Sequence, residues 1–176
     1  MKKLILAALF VLSLPLAAHG GWIGENGKPI ADTESMRSDG NFGVQLVLTP
    51  DEDHLRKAWS ATKSMPKLAS ANTVRLGSSL SAILIFKGCA ANANGVCDVV
   101  AEFILESPDG KKIPAGNGAV WSGTPLQEGF MQLGVASMKA GFDSSDPLGN
   151  YKVIANVKDN ISGRTLQLVA GFKVTK

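Results

Sequence analysis

The chain is short of the residues from which most active sites are built. It carries two histidines, two cysteines and one tyrosine. One histidine, His19, falls in the N-terminal leader described below, so any Ser-His-Asp or Cys-His arrangement must use His54, and no GxSxG elbow accompanies it. His54 stands between Asp53 and Leu55 at the start of a helix pattern and reads as an exposed polar residue. The CxxC redox spacing is missing, and two cysteines with one histidine make no zinc site. No metal ligands, catalytic residues or cofactor-binding residues are therefore assigned, and no cofactor is expected. Lysine and arginine are scattered, without a basic block or interleaved aromatics, which excludes an electrostatic case for nucleic acid. No segment has the ~18 apolar residues of a membrane-spanning helix.

What is present begins with a leader. Lys2 and Lys3 precede an apolar run from Leu4 to Leu16, and Ala18-His19-Gly20 places small residues at the −3 and −1 positions of a cleavage site. The run is short for a membrane anchor and has the flanks of a secretory signal peptide over residues 1–20, cut before Gly21. Loss of the two lysines lowers the formal charge of +3 to about +1. Export, to the periplasm or beyond the cell, and a soluble mature chain of single-domain size follow. An oxidising compartment favours pairing of Cys89 with Cys97. The short loop between them, with Asn92, Asn94 and Gly95, suits a turn, and the bridge is worth roughly 2.5 kcal/mol in the chain-entropy model.

Residues 21–40 are polar and glycine-containing and read as an irregular N-terminal arm; 41–176 read as one β-sandwich domain. Phe42, Val44, Leu46 and Leu48 have strand period. Thr49-Pro50-Asp51-Glu52 starts a helix of about residues 50–62, with Thr49 as N-cap and Pro50 at the first helical position. Leu55, Ala58 and Trp59 share its apolar face, with Arg56 and Lys57 turned away. Leu80 to Lys87 is apolar on both faces, as in a central strand or one covered by the helix. With Asp98 to Glu106 it reads as a hairpin clamped by the disulfide. Lys111 to Pro114 reads as a short returning strand, and Ala115 to Gly129 as a long loop around Trp121. Met131, Leu133 and Val135 mark another strand, and two further strands lead to the C-terminus. The absence of a βαβ rhythm selects an all-β fold, an immunoglobulin-like antiparallel β-sandwich with one short inserted helix.

The run from Asp146 to Val174, DPLGNYKVIANVKDNISGRTLQLVAGFKV, resembles the closing strands of bacterial immunoglobulin-like domains, with a D-P-x-G-x-Y opening, a D-x-x-S-G turn and an F-x-V ending. More loosely, the mature chain is similar to exported bacterial proteins of unassigned function. The resemblance implies a sandwich and is almost silent on function.

Candidate chemistry is thin. Asp98, Glu102 and Glu106 line one strand face, and paired carboxylates serve glycoside hydrolysis, although a solvated sheet face has the same spacing. Asp143, Asp146 and Asp159 in turns suggest a calcium site only if the fold gathers them. Asn160-Ile161-Ser162 fits the glycosylation pattern, and a bacterial origin makes it a turn coincidence. Trp22 lies in the arm, Trp59 on the helix, and Trp121 is the candidate partner contact. The leading expectation is a non-enzymatic exported binding or accessory module with a protein or glycan partner. The alternatives are a subunit of a surface or secretion assembly that pairs by strand addition, or a carboxylate-dependent hydrolase.

Overall fold

A computed structural model describes residues 21–24, 26–61, 66, 68, 70–125 and 130–176. The proposed signal peptide and the residues after the helix, 62–65, lie outside that set. Two short strands, β1 (Trp22–Ile23) and β2 (Pro29–Ile30), pair with each other at the start of the arm. Then follow β3 (Met36–Asp39), β4 (Phe42–Thr49), α1 (Glu52–Ala61), β5 (Thr73–Arg75) and β6 (Ser79–Lys87). The chain ends with β7 (Cys97–Glu106), β8 (Lys112–Gly123), β9 (Gln132–Gly141), β10 (Gly149–Asp159) and β11 (Thr165–Thr175).

Two sheets form the sandwich. One has the order β3-β4-β6-β9 and the other β5-β11-β10-β7-β8. All pairings within them are antiparallel except β5 with β11. Immunoglobulin-like domains likewise divide their strands between two sheets joined by crossovers. The single tyrosine forms a corner: Tyr151, near the start of β10, donates its hydroxyl to the Pro147 carbonyl at 2.8 Å. Its ring packs with Phe142 and Phe172 at centroid distances of 5.3 and 5.5 Å.

The alternating apolar rows meet between the sheets. Phe42, Val44, Leu46 and Leu48 of β4 and Leu80, Ala82, Leu84 and Phe86 of β6 face Val99, Ala101 and Phe103 of β7 and the rows of β10 and β11. Each fully buried large side chain contributes ~1.5–3 kcal/mol. A second, smaller core lies on the outer face of the first sheet. There Leu55 and Trp59 of α1 cover Val47, Ile83 and Ile85, so β6 is apolar on both faces because the helix covers one of them.

Several local expectations are corrected. β6 and β7 do not form a hairpin; they lie in different sheets. Cys89 and Cys97 (S–S 2.09 Å) therefore clamp a crossover between sheets, where alternation alone carries no information about which sheet a strand joins. The supposed loop around Trp121 is mostly β8, bent by bulges opposite Val99/Val100 and Phe103/Ile104. Pro114, Gly116 and Gly118 lie at an edge, where such residues are tolerated. The strand marked by Met131, Leu133 and Val135 is β9; Met131, just before it, and Leu133 pack beneath the helix, while Val135 is exposed. Thr49 is the buried last residue of β4, paired with Ser81, so the cap moves on: Asp51 accepts the His54 N–H at 2.9 Å. The arm is not wholly irregular, since β3 pairs with β4.

Candidate functional site

The residues singled out from the sequence do not converge. Trp121 sits in β8 opposite Val99, half-buried, with its ring 6.2 Å from that of Phe86. Its indole N–H donates to the Thr124 carbonyl at 3.3 Å, so part of the ring closes the core margin and part remains accessible. Glu102 is exposed; Glu106 pairs with Lys152 at 3.1 Å and Lys112 at 3.8 Å. The two stand four residues apart on one strand, about 13 Å along the backbone, on an open sheet face where Glu106 is already paired with lysines. Asp98 accepts from the Asn160 amide at 3.1 Å. His54 is exposed on α1.

Asp143 and Asp146 belong to the β9–β10 turn, whereas Asp159 ends β10 at the other end of the sandwich. Asp159 is fully buried and already engaged. It accepts from the Ala90 N–H at 2.9 Å, the Ile161 N–H at 3.1 Å and the Ser162 hydroxyl at 2.7 Å. It thereby staples the β10–β11 turn to the crossover beside the disulfide, a buried structural role that turn composition did not announce. No cluster of three or more potential metal ligands occurs among the described residues. No described helix is long and apolar enough to cross a membrane.

The feature with the shape of a site lies where the two sheets part. A cleft of about 610 Å³ opens between β4 and β11, lined by Thr33, Glu34, Leu46, Leu48, Ala71 and Gly171 among others. One wall carries backbone groups without a regular partner. Lys173 donates its N–H outward to Asn72 at 2.9 Å, and Val169 donates outward to Glu34 at 2.7 Å. Backbone direction alternates along a strand, so Thr165, Gln167 and Gly171 also direct their N–H and C=O groups outward. β5 pairs only with Lys173 to Thr175. From Thr165 to Phe172 the outer side of β11 has no ladder partner among the described residues, and Glu34 supplies its one backbone acceptor there.

A second depression, about 530 Å³, lies on the outer face of the five-stranded sheet. Val100, Gly118 and Ala119 line it together with Glu102, Asn117 and Lys158. Asn117, Glu102, Asn156 and Gln167 stand in register across four strands, and Gln167 donates to Asn156 at 2.9 Å.

No protein-family model and no curated protein sequence matches the chain. Solved structures show distant likeness. A CARDB domain from Pyrococcus furiosus, in complex with di-metal ions, aligns at 10% identity and TM-score 0.43, over 83% of this chain and 99% of that one. The alkylpurine DNA glycosylase AlkC from Pseudomonas fluorescens aligns at 12% and 0.42, over 77% of this chain and 31% of its own. A Niemann-Pick type C2 protein from Japanese carpenter ant aligns at 7% and 0.39, over 74% and 89%. The chain thus spans less than a third of the glycosylase. Likeness at this level carries no functional argument; the sandwich stands on its own strand order and core.

Proposed function

We propose that the protein is a non-enzymatic, exported binding module that captures an extended polypeptide segment by strand addition along β11. The observation that carries this reading is the unladdered outer side of β11 beside a cleft. Backbone N–H and C=O groups there offer an added strand the pairing that gives affinity, and the cleft offers room for alternate side chains, the source of specificity. Export is supported by the leader pattern and by a disulfide, which persists in oxidising compartments. The non-enzymatic reading is supported by the pairing of Glu106 with Lys152 and Lys112 and the structural engagement of Asp159.

The test is selection of extended peptides on the purified protein, with backbone chemical shifts mapping where they bind. Shifts concentrated at Gln167, Val169 and Gly171, lost in Gly171→Pro, support the reading. That substitution deletes an outward N–H, and a Cβ at 171 meets nothing nearer than the Tyr151 carbonyl at 3.8 Å. Selected peptides that bind elsewhere, or bind Gly171→Pro equally well, overturn it.

A further inference from the structure

The outer side of β11 is not empty along its whole length. Between Ala31 and β3 the arm crosses the seam between the sheets, and two successive carbonyls there point to different sheets. The Ser35 carbonyl accepts the Leu46 N–H of β4 at 2.7 Å, and the Glu34 carbonyl accepts the Val169 N–H of β11 at 2.7 Å. Glu34 and Ser35 form the tip of a tight turn closed by backbone hydrogen bonds between Thr33 and Met36 at 2.8 and 3.4 Å, and this tip lies in the seam with one carbonyl on each strand. Beyond this point β3 continues along the seam, and Asp39 at its end faces Arg164, just before β11, at 3.7 Å. Both partners of that ion pair are substantially exposed, so it holds the seam weakly.

We propose that residues 31–35 are an intramolecular occupant of the β11 edge, a strap that an incoming strand must displace. This inference rests on the binding function proposed above and adds its regulation. Three observations favour displacement over permanent closure. Thr33 and Glu34 are exposed, so they bury little of their own surface against the sandwich. A single backbone hydrogen bond joins the strap to β11 among the described residues. The strap's shape is set from within the arm: beside the Thr33–Met36 backbone pair, the Asp32 carboxylate accepts both the Ser38 N–H at 2.9 Å and the Ser38 hydroxyl at 3.0 Å, and Ser38 in turn accepts the Gly21 N–H at 2.9 Å. Asp32 is therefore the side chain that braces the turn from within the arm, and it is not itself among the residues that line the cleft. Neighbouring strands lie ~4.8 Å apart, so a full added strand cannot enter beside Val169 while Glu34 occupies that register.

The experiment compares the purified protein with Asp32→Ala, using amide hydrogen exchange and a synthetic peptide with the sequence of residues 29–39 as probe. In Asp32→Ala the Val169 amide is expected to exchange about ten-fold faster, as in a local opening, while Leu168 and Ala170, which face β10, keep their protection. The same variant is expected to bind the probe about ten-fold more tightly, because a tethered competitor acts at an effective concentration near millimolar. Bound probe should restore protection at Val169. Unchanged Val169 exchange in Asp32→Ala overturns the strap. So does equal probe affinity in the two forms, a result that leaves strand addition standing. Faster Val169 exchange with no peptide held by either form removes both the binding reading and the inference.

Discussion

Along the side formed by β8 and β9, both strands depart from regular pairing, and on β9 a side chain guards the departure. β8 is bent by two bulges and carries Pro114. β9 is shifted between its pairings with Ile83 and Ile85, which leaves Gly134 to Ala136 opposite Leu84. The carbonyls freed there are taken by Arg56 of α1, whose guanidinium donates to Gly134 at 3.0 Å and Val135 at 3.1 Å. Along the side formed by β4 and β11, the strand from Thr165 to Phe172 has neither bulge nor proline, and one arm carbonyl meets it. Proteins blunt edges that must not pair, because an open edge invites any strand. One side of this sandwich is built against strand addition, and the other is built with a removable cover.

The most severe way to disturb the covered side is at its base. Gly88 has φ 66°, and a Cβ there would run into the Asn41 carbonyl group in the β3–β4 turn. Gly88→Ala must move that turn, and with it the arm, in addition to bearing backbone strain. A loss of about 3 kcal/mol or more is expected in denaturant unfolding. A loss below about 1 kcal/mol would show that the arm's anchorage yields easily.

On the guarded side, Arg56→Met keeps much of the stem and removes the fork that satisfies the two bulge carbonyls. A loss of about 2 kcal/mol is expected, with new concentration-dependent association as β9 becomes available. Urea unfolding and sedimentation read the two effects. Stability lost without association would show that the bulge guards the edge without the arginine.

Much of this was legible in the sequence, and the failures have physical causes. Strand rows such as Phe42 to Leu48 and Tyr151 to Val157 announce themselves because one face is buried and the period is two. The disulfide follows from compartment and spacing. β8 was hidden because Pro114, Gly116 and Gly118, which end most strands, are acceptable at a bulged edge. Arg56 was assigned to solvent because helix periodicity cannot register a bulge 78 residues away. The burial of Asp159 was hidden because a turn aspartate and a buried staple have the same local sequence. The open edge of β11 leaves almost no mark, since it consists of backbone groups with no ladder partner. Trp121, the residue chosen as the candidate contact, drew attention through its side chain, whereas the open edge has none to display.

Acid should act on the guarded side through Glu52. Burial of Glu52 opposes its ionisation, but hydrogen bonds from Ser137, Arg56 and Ser81, with the Arg56 charge, outweigh this and hold its carboxyl below the ordinary glutamate value. A depressed folded pKa means the ionised group stabilises the fold above the unfolded pKa, about 4.3. That contribution is lost as pH falls through the lower folded value. Wild type should therefore exceed Glu52→Gln in stability at neutral pH, and the gap should close below about pH 4. A gap independent of pH would assign the effect to packing.

The smallest expected effect tests the comparison most sharply, because it places proline twice in one strand. The Gly171 N–H points outward and meets no described acceptor, whereas the Ala170 N–H belongs to the ladder opposite Val153. Gly171→Pro should cost about 1 kcal/mol or less, the tolerance of an edge position whose N–H faces away from the sheet. Ala170→Pro should cost about 3 kcal/mol or more, since it deletes a ladder bond and forces the β10 carbonyl to go without its donor. Thermal unfolding of the pair decides the matter. A wide difference establishes that β11 is paired on one side and open on the other. Equal, large losses would mean that the 171 amide is already engaged, and that the cleft is a closed part of the fold.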